Sequence, residues 1–172
     1  MLVAGDFPLA LVSTDGLGLS KTVLGVGVSE MKIYVASSWR NVIQPAVVKI
    51  LRAVGHEVYD FRNPRPDDHG FHWSEIDPDW QDWTAKEFRQ ALNHPIAQAG
   101  FESDMDGLEA CEVCVLLLPC GRSAHLEAGW AAGAGKRLVI LIAEGCEPEL
   151  MYRMAEIATT VEELVERLAK PR

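Results

Sequence analysis

The stretch VCVLLLPCGRSAHLEAGWAAGAGKRLVILI, Val113 to Ile142, decides the fold. VCVLLL (Val113 to Leu118) is continuously apolar, as a parallel strand covered on both faces must be. Turn residues follow, then a run of small residues expected to form a helix over about Ala124 to Ala134. RLVILI is a second buried strand. Strand, helix and strand in quick succession describe a right-handed crossover, the repeating unit of an α/β sheet.

The same rhythm extends outward. Upstream, KIYVA (Lys32 to Ala36) reads as a strand ending in small residues. NVIQPAVVKILRAV reads as a helix, with Asn41 and Gln44 spaced as a capping pair and Pro45 tolerated in the first turn. Ile43, Val47, Ile50 and Val54 recur at helical spacing, and Gly55 suits the C-terminal end. HEVYDF supplies a second strand. Arg62 to Asp79 is rich in Pro, Asp and Gly, carries Trp73, and is long for a βα connection, which makes it a candidate lid or pocket wall. Helical segments are expected over about Trp80 to Asn93 and Ile96 to Glu109, broken near Pro95. Downstream, a short strand near Ile157 precedes a helix opened by Thr160 and Glu163, with Val161, Leu164, Val165 and Leu168 inward. The expected fold is α/β: a doubly wound parallel sheet of four to five strands with helices on both faces, a three-layer sandwich. Residues 31–172 form this domain. Residues 1–30 differ in texture and read as an N-terminal appendage, non-native to the domain or adding TVLGVGV as an edge strand.

Composition narrows the partners. Among 172 residues, 25 are acidic and 16 are Lys or Arg, for a net charge of -9. No basic run offsets this, so long nucleic acid is a poor partner, whereas one small ligand needs only a pocket. No apolar run approaches the ~20 residues that span a bilayer. Cys111, Cys114, Cys120 and Cys146 lie in or beside apolar strands, and a single CxxC embedded in a strand supports neither zinc nor a redox pair. No metal or cofactor is expected, and a reducing cytoplasm is the expected home.

Ligands in doubly wound sheets bind beyond the carboxyl ends of strands. The segments after Ala36, Phe61, Leu118 and Ile142 are therefore the expected ligand positions. In PCGRSAHLEAGWAAGAGK, Ser123 is expected to cap the helix and Glu127 to end its first turn, where N–H groups and the helix dipole favour a carboxylate. Such an oxygen can attack an anomeric carbon or stabilise an oxocarbenium ion. Equally, it can simply decorate a helix start. Gly121, Arg122 and Ser123 suit a phosphate or merely a capped turn. Asp104 and Asp106 can share acid, base and sugar-binding work with Glu127, or lie on an acidic surface helix. Tyr34 can orient Glu127. Ser37 and Trp39, after the first strand, and Trp73 in the long loop are candidate substrate contacts, with core packing the alternative for the aromatics. His125 stands beside Glu127 as a peripheral group.

MKIYVASSW (Met31 to Trp39), DMDGLEAC (Asp104 to Cys111) and GRSAHLEAGWAAGAGK (Gly121 to Lys136), in that order and spacing, resemble the nucleoside 2-deoxyribosyltransferase-like superfamily. The resemblance implies a flavodoxin-like sheet, a homo-oligomer, and cleavage or transfer at the N-glycosidic bond of a (deoxy)nucleoside or nucleotide. It implies Glu127 as nucleophile, Tyr34 as the residue orienting it, Asp104 near sugar or base, and Ser123 near a phosphate. Transferases commonly carry an Asp about six residues before the nucleophile, where this chain has Gly121. YVASSWRN followed by GHEVYDF also resembles TIR-like domains that hydrolyse NAD. A binding domain that keeps the fold without turnover is the third reading, motivated by Gly121.

Overall fold

Residues 29–147 and 149–171 are described by a computed structural model. TVLGVGV, and with it the edge-strand expectation, lies outside the described residues. Five strands, β1 (Lys32–Ala36), β2 (Glu57–Tyr59), β3 (Val113–Leu117), β4 (Arg137–Leu141) and β5 (Glu156–Ala158), form one parallel sheet in the order β2-β1-β3-β4-β5. Every residue of β3 and β4 is buried, which is why their sequences do not alternate.

Among the described residues there are five α-helices, α1 (Gln44–Ala53), α2 (Ala85–Ala91), α3 (Pro95–Ala110), α4 (Arg122–Gly133) and α5 (Val161–Leu168), of which α1, α3, α4 and α5 pack on the sheet. Alternate strand residues face opposite layers. Ile33, Val35, Val113, Val115 and Leu117 join Val47, Val48 and Leu51 of α1 and Leu164 and Leu168 of α5. Tyr34, Ala36, Cys114 and Leu116 join Leu108 of α3 and Ala124, Ala128 and Ala131 of α4 on the other side. The expected three-layer, doubly wound sheet is thus present. The chain winds outward from β1 to β2, then returns across β1 to β3, so the winding reverses between β1 and β3.

Local details depart from expectation where a side chain has a tertiary task. Asn41 does not cap α1. Its amide donates to the carbonyls of Leu117 and Pro119 at 3.4 and 3.1 Å, and its oxygen accepts from the Ile43 N–H. Gln44 lies buried with its amide on Asp60 at 2.8 Å. The inward stripe of α1 is therefore Gln44, Val47, Val48 and Leu51, while Ile43 is 40% exposed. Gly55 has φ +103° and follows the helix as expected, its N–H bonding to the Arg52 carbonyl.

Trp80 to Asn93 is not one helix. A 3-10 turn at Trp80–Asp82 is followed by extended Trp83, and Thr84 opens α2 in a reciprocal capping box with Glu87. At α5, Thr160 accepts from the Glu163 N–H, but the Glu163 carboxylate returns to Thr159 rather than Thr160. α4 starts earlier than expected. Gly121 is its N-cap and Arg122 its first residue, so Ser123 sits inside the first turn and caps nothing. That shift carries Glu127 beyond the first turn, away from the dipole's strongest influence.

Candidate functional site

α4 presents Ala124, Ala128 and Ala131 to the sheet, all at most 3% exposed. These small side chains allow the helix to lie close on β3 and β1, and Glu127 projects from the edge of that stripe. α3 flanks the same face, with Leu108 inward and Asp104 one turn earlier. Tyr34, in the middle of β1, is completely buried beneath both helices. Glu127, Asp104 and Tyr34 thus converge where the winding reverses.

Electrostatics within this group follow from burial. The Glu127 carboxyl is pushed up to about 7, first by loss of water, then by the Asp104 charge, with the Tyr34 hydroxyl opposing the shift. Glu127 is therefore a carboxyl that changes charge near neutrality, rather than one held ionised by a helix start. Burial also raises Asp104 above the usual carboxylate range, while the hydrogen bond from Tyr59 favours its ionised form. Burial keeps both phenols above their ordinary range, so each remains a neutral donor. The Tyr34 hydroxyl meets no partner at full hydrogen-bond geometry, although it is near enough to favour the Glu127 anion. A buried donor without a full partner, facing a carboxyl, is ready to complete its bond when the carboxylate turns toward it.

Three residues that sequence reasoning missed complete the arrangement. Tyr59 of β2 pairs in register with Tyr34, and their rings stack at 5.0 Å with an interplanar angle of 8°. The Tyr59 hydroxyl donates to Asp104 Oδ1 at 2.9 Å and lies 3.1 Å from Ser103 Oγ. Gly107 lets the ring rest on α3: a Cβ there would come within 2.7 Å of Tyr59 Cγ and Cδ2. The signal available in sequence was the pair of tyrosines at matching depth in adjacent strands, together with the Gly100, Ser103, Gly107 spacing of one helix face.

A cleft of about 240 Å³ opens beside this group. Tyr59, Ser103 and Asp104 line it together with Phe61, which follows β2, and Arg65 and Phe71 from the long insert. Gly100 admits Phe71, whose Cβ would be 2.9 Å from a methyl at that position. A larger hollow of about 390 Å³ lies far from this crevice, beside Arg137, Glu156 and Arg167. Four of its charges are committed to one another: Arg137 is bidentate to Glu156 and also donates to the carbonyls of Arg167 and Lys170, and Arg167 pairs with Glu163 at 2.7 Å. We regard it as the clasp holding α5 to the sheet.

The other predicted site residues fall in different places. Ser37 Oγ donates to the Leu117 carbonyl at 2.9 Å, tying the ends of β1 and β3. Trp39 is 41% exposed and packs on His72 and the edge of Phe61, with the Arg62 guanidinium 5.4 Å from its ring centroid. Trp73 belongs to an aromatic cluster with Phe71, Trp83 and Phe88 and does not line the cleft. Asp106 is exposed, because two residues along a helix turn it roughly 200° from Asp104. Gly121, Arg122 and Ser123 are exposed at the start of α4.

His125 Nδ1 lies 2.9 Å from the Gly121 carbonyl, and Nε2 lies 2.9 Å from the Tyr152 hydroxyl, so both nitrogens are engaged. The four thiols are free; burial raises Cys120 to about 11, which leaves it no thiolate nucleophile near neutral pH. Among the described residues no group of three or more His, Cys, Asp or Glu is placed to hold a metal ion, and no helix is long and apolar enough to cross a membrane.

Neither a protein-family model nor a curated protein matches the chain. Among solved structures, it is similar to the CMP N-glycosidase BcmB of Clostridium botulinum, at 17% identity and a TM-score of 0.45. The similarity covers 80% of this chain and 98% of that one.

Proposed function

We propose that this protein cleaves the N-glycosidic bond of a (deoxy)nucleoside or nucleotide, with Glu127 as the nucleophile. The observation that carries the reading is the convergence of two partly buried carboxyls and a buried phenol, Glu127, Asp104 and Tyr34, at the point where the winding reverses. The sequence resemblance assigns the same three residues.

In this mechanism a Glu127 oxygen attacks C1′ as the C1′–N bond breaks. The bonding pair leaves on the base nitrogen, which is protonated as it departs. Asp104 contacts the sugar or supplies that proton; its raised affinity for a proton suits the second task. Water, or the nitrogen of a second base, then attacks C1′, the ester C–O bond breaks, and Glu127 is regenerated as a carboxylate. Tyr34 orients Glu127 and stabilises its anionic form before attack and after release. The base occupies the cleft against Phe61 and Phe71, Trp39 closes the rim, and Gly121 to Ser123 receive the 5′ end.

Chromatographic detection of free base tests this. Deoxynucleosides, deoxynucleoside monophosphates, CMP and NAD are each incubated with wild type and with Glu127→Gln, with and without an acceptor base. Base release lost in the variant supports the reading, and dependence on acceptor separates transfer from hydrolysis. Nicotinamide release would move the substrate to NAD while keeping the same carboxylate. A folded protein that releases no base from any substrate would refute glycosidic cleavage and leave a binding domain.

A further inference from the structure

Tyr59 is fixed from every side. Its ring stacks on Tyr34, its edge rests on the bare Cα of Gly107, and its hydroxyl meets Asp104 Oδ1 and Ser103. A ring that needed only burial would not require a glycine beneath it and a carboxylate at its tip. Gly107 lies one turn from Asp104 on α3, so the glycine that admits the ring and the carboxylate that meets its hydroxyl share one face of the helix.

We propose that Tyr59 is a positioning residue for the two-carboxylate site: its hydroxyl fixes the orientation and proton affinity of Asp104, and its ring braces Tyr34 beneath Glu127. The inference rests on the glycosidic reading for its catalytic meaning, but the hold on Asp104 is a property of the resting protein. Charged and titratable groups face this region from each packed element. Tyr34 comes from β1, Cys114 from β3, Glu127 from α4, and Arg65, Asp68 and Glu75 from the insert along the cleft. Burial first, and then the Asp104 charge, disfavour ionising the Tyr59 phenol and outweigh Ser103 and Arg65, which keeps the donor on the tyrosine and the acceptor on the aspartate.

The sign of the effect follows from donor and acceptor. A phenol that donates to Asp104 stabilises the carboxylate, so removing the hydroxyl raises the aspartate's proton affinity. Because Asp104 and Glu127 interact, the two protons leave in steps that belong to the pair. Raising Asp104 raises the sum of the two steps, and neither step is driven downward.

The test is a carbon-13 NMR titration of the full chain labelled at aspartate carboxyls, with Asp104 assigned by its loss in Asp104→Asn. In Tyr59→Phe the Asp104 midpoint is expected to rise by about one pH unit, the scale of one charge-assisted hydrogen bond lost. Gly107→Ala, which keeps the hydroxyl but pushes the ring away, is expected to raise it in the same direction. An unmoved midpoint in both folded variants would overturn the proposal. The second arm is a double-mutant cycle on kcat/KM for base release. Tyr59→Phe should cost about tenfold alone and nothing further in an Asp104→Asn background. Full additivity would overturn action through Asp104. If wild type releases no base, the glycosidic reading fails, while the titration still decides whether Tyr59 controls Asp104.

Discussion

Glu127→Gln should do two opposite things: abolish base release and stabilise the fold at alkaline pH. Glu127 binds its proton near the ordinary 4.5 in the unfolded chain and near about 7 in the folded one. Between those values the folded state holds more protons than the unfolded state, so stability falls as pH rises through that window and levels off above it. At about 1.4 kcal/mol per pH unit, the ionised side chain would cost roughly 3 kcal/mol above pH 7. Glu127 is only partly buried, and solvent screens part of that cost, so a value of about 1–3 kcal/mol is expected. Glutamine keeps the shape and cannot ionise. Urea unfolding of both proteins at pH 5 and pH 8 measures the effect, with m-values checked for equality. The variant's advantage at pH 8 should exceed its advantage at pH 5 by that amount, or by a few °C in melting temperature. An equal difference at both pH values would show that Glu127 titrates normally, and the electrostatic account of the site would be wrong.

Three further outcomes follow from named contacts. Tyr34→Phe should lower kcat for base release at least tenfold yet shift stability by less than about 1 kcal/mol, because the hydroxyl it removes has no full hydrogen-bond partner. Kinetics and urea unfolding on the same preparation check both halves. Asn41→Ala frees the carbonyls of Leu117 and Pro119 and the Ile43 N–H, and should cost about 1–3 kcal/mol in equilibrium unfolding. Arg137→Ala removes the bidentate contact to Glu156, which keeps Arg167 at 3.9 Å, and the donors to the carbonyls of Arg167 and Lys170; it should cost about 1–3 kcal/mol without changing the KM for a substrate bound at the opposite end of the sheet.

Much of the fold was legible because its signals are local. Val113 to Leu118 and Leu138 to Leu141 are apolar without alternation, and only strands covered on both faces tolerate that. Gly55 and the Leu164–Leu168 stripe likewise announce a helix end and a helix face. The errors lie where one side chain has two potential partners. Asn41 and Gln44 have capping spacing, but the first is drawn to the carbonyls after β3 and the second to Asp60. Ser123 has capping chemistry, but Gly121 takes the position. No pattern along the chain ranks a local hydrogen bond against one made across the fold.

For the site, sequence determined which residue types are available: a glutamate after the central strand, an aspartate before it, and a tyrosine in the first strand. It also determined that no basic surface or long apolar span accompanies them. Only the tertiary structure decided what those groups are. It separated Asp104 from its neighbour Asp106 by helix geometry, and it withdrew Trp73 into an aromatic cluster. It also set Tyr59, which no reading of the sequence singled out, between Tyr34 and Asp104. Above all it changed the character of Glu127, from a carboxylate ionised at a helix start to one whose charge is balanced near neutrality. The physical reason is that proton affinity depends on the water lost and the charges gathered around a group, and both are set by packing between α3, α4 and the sheet.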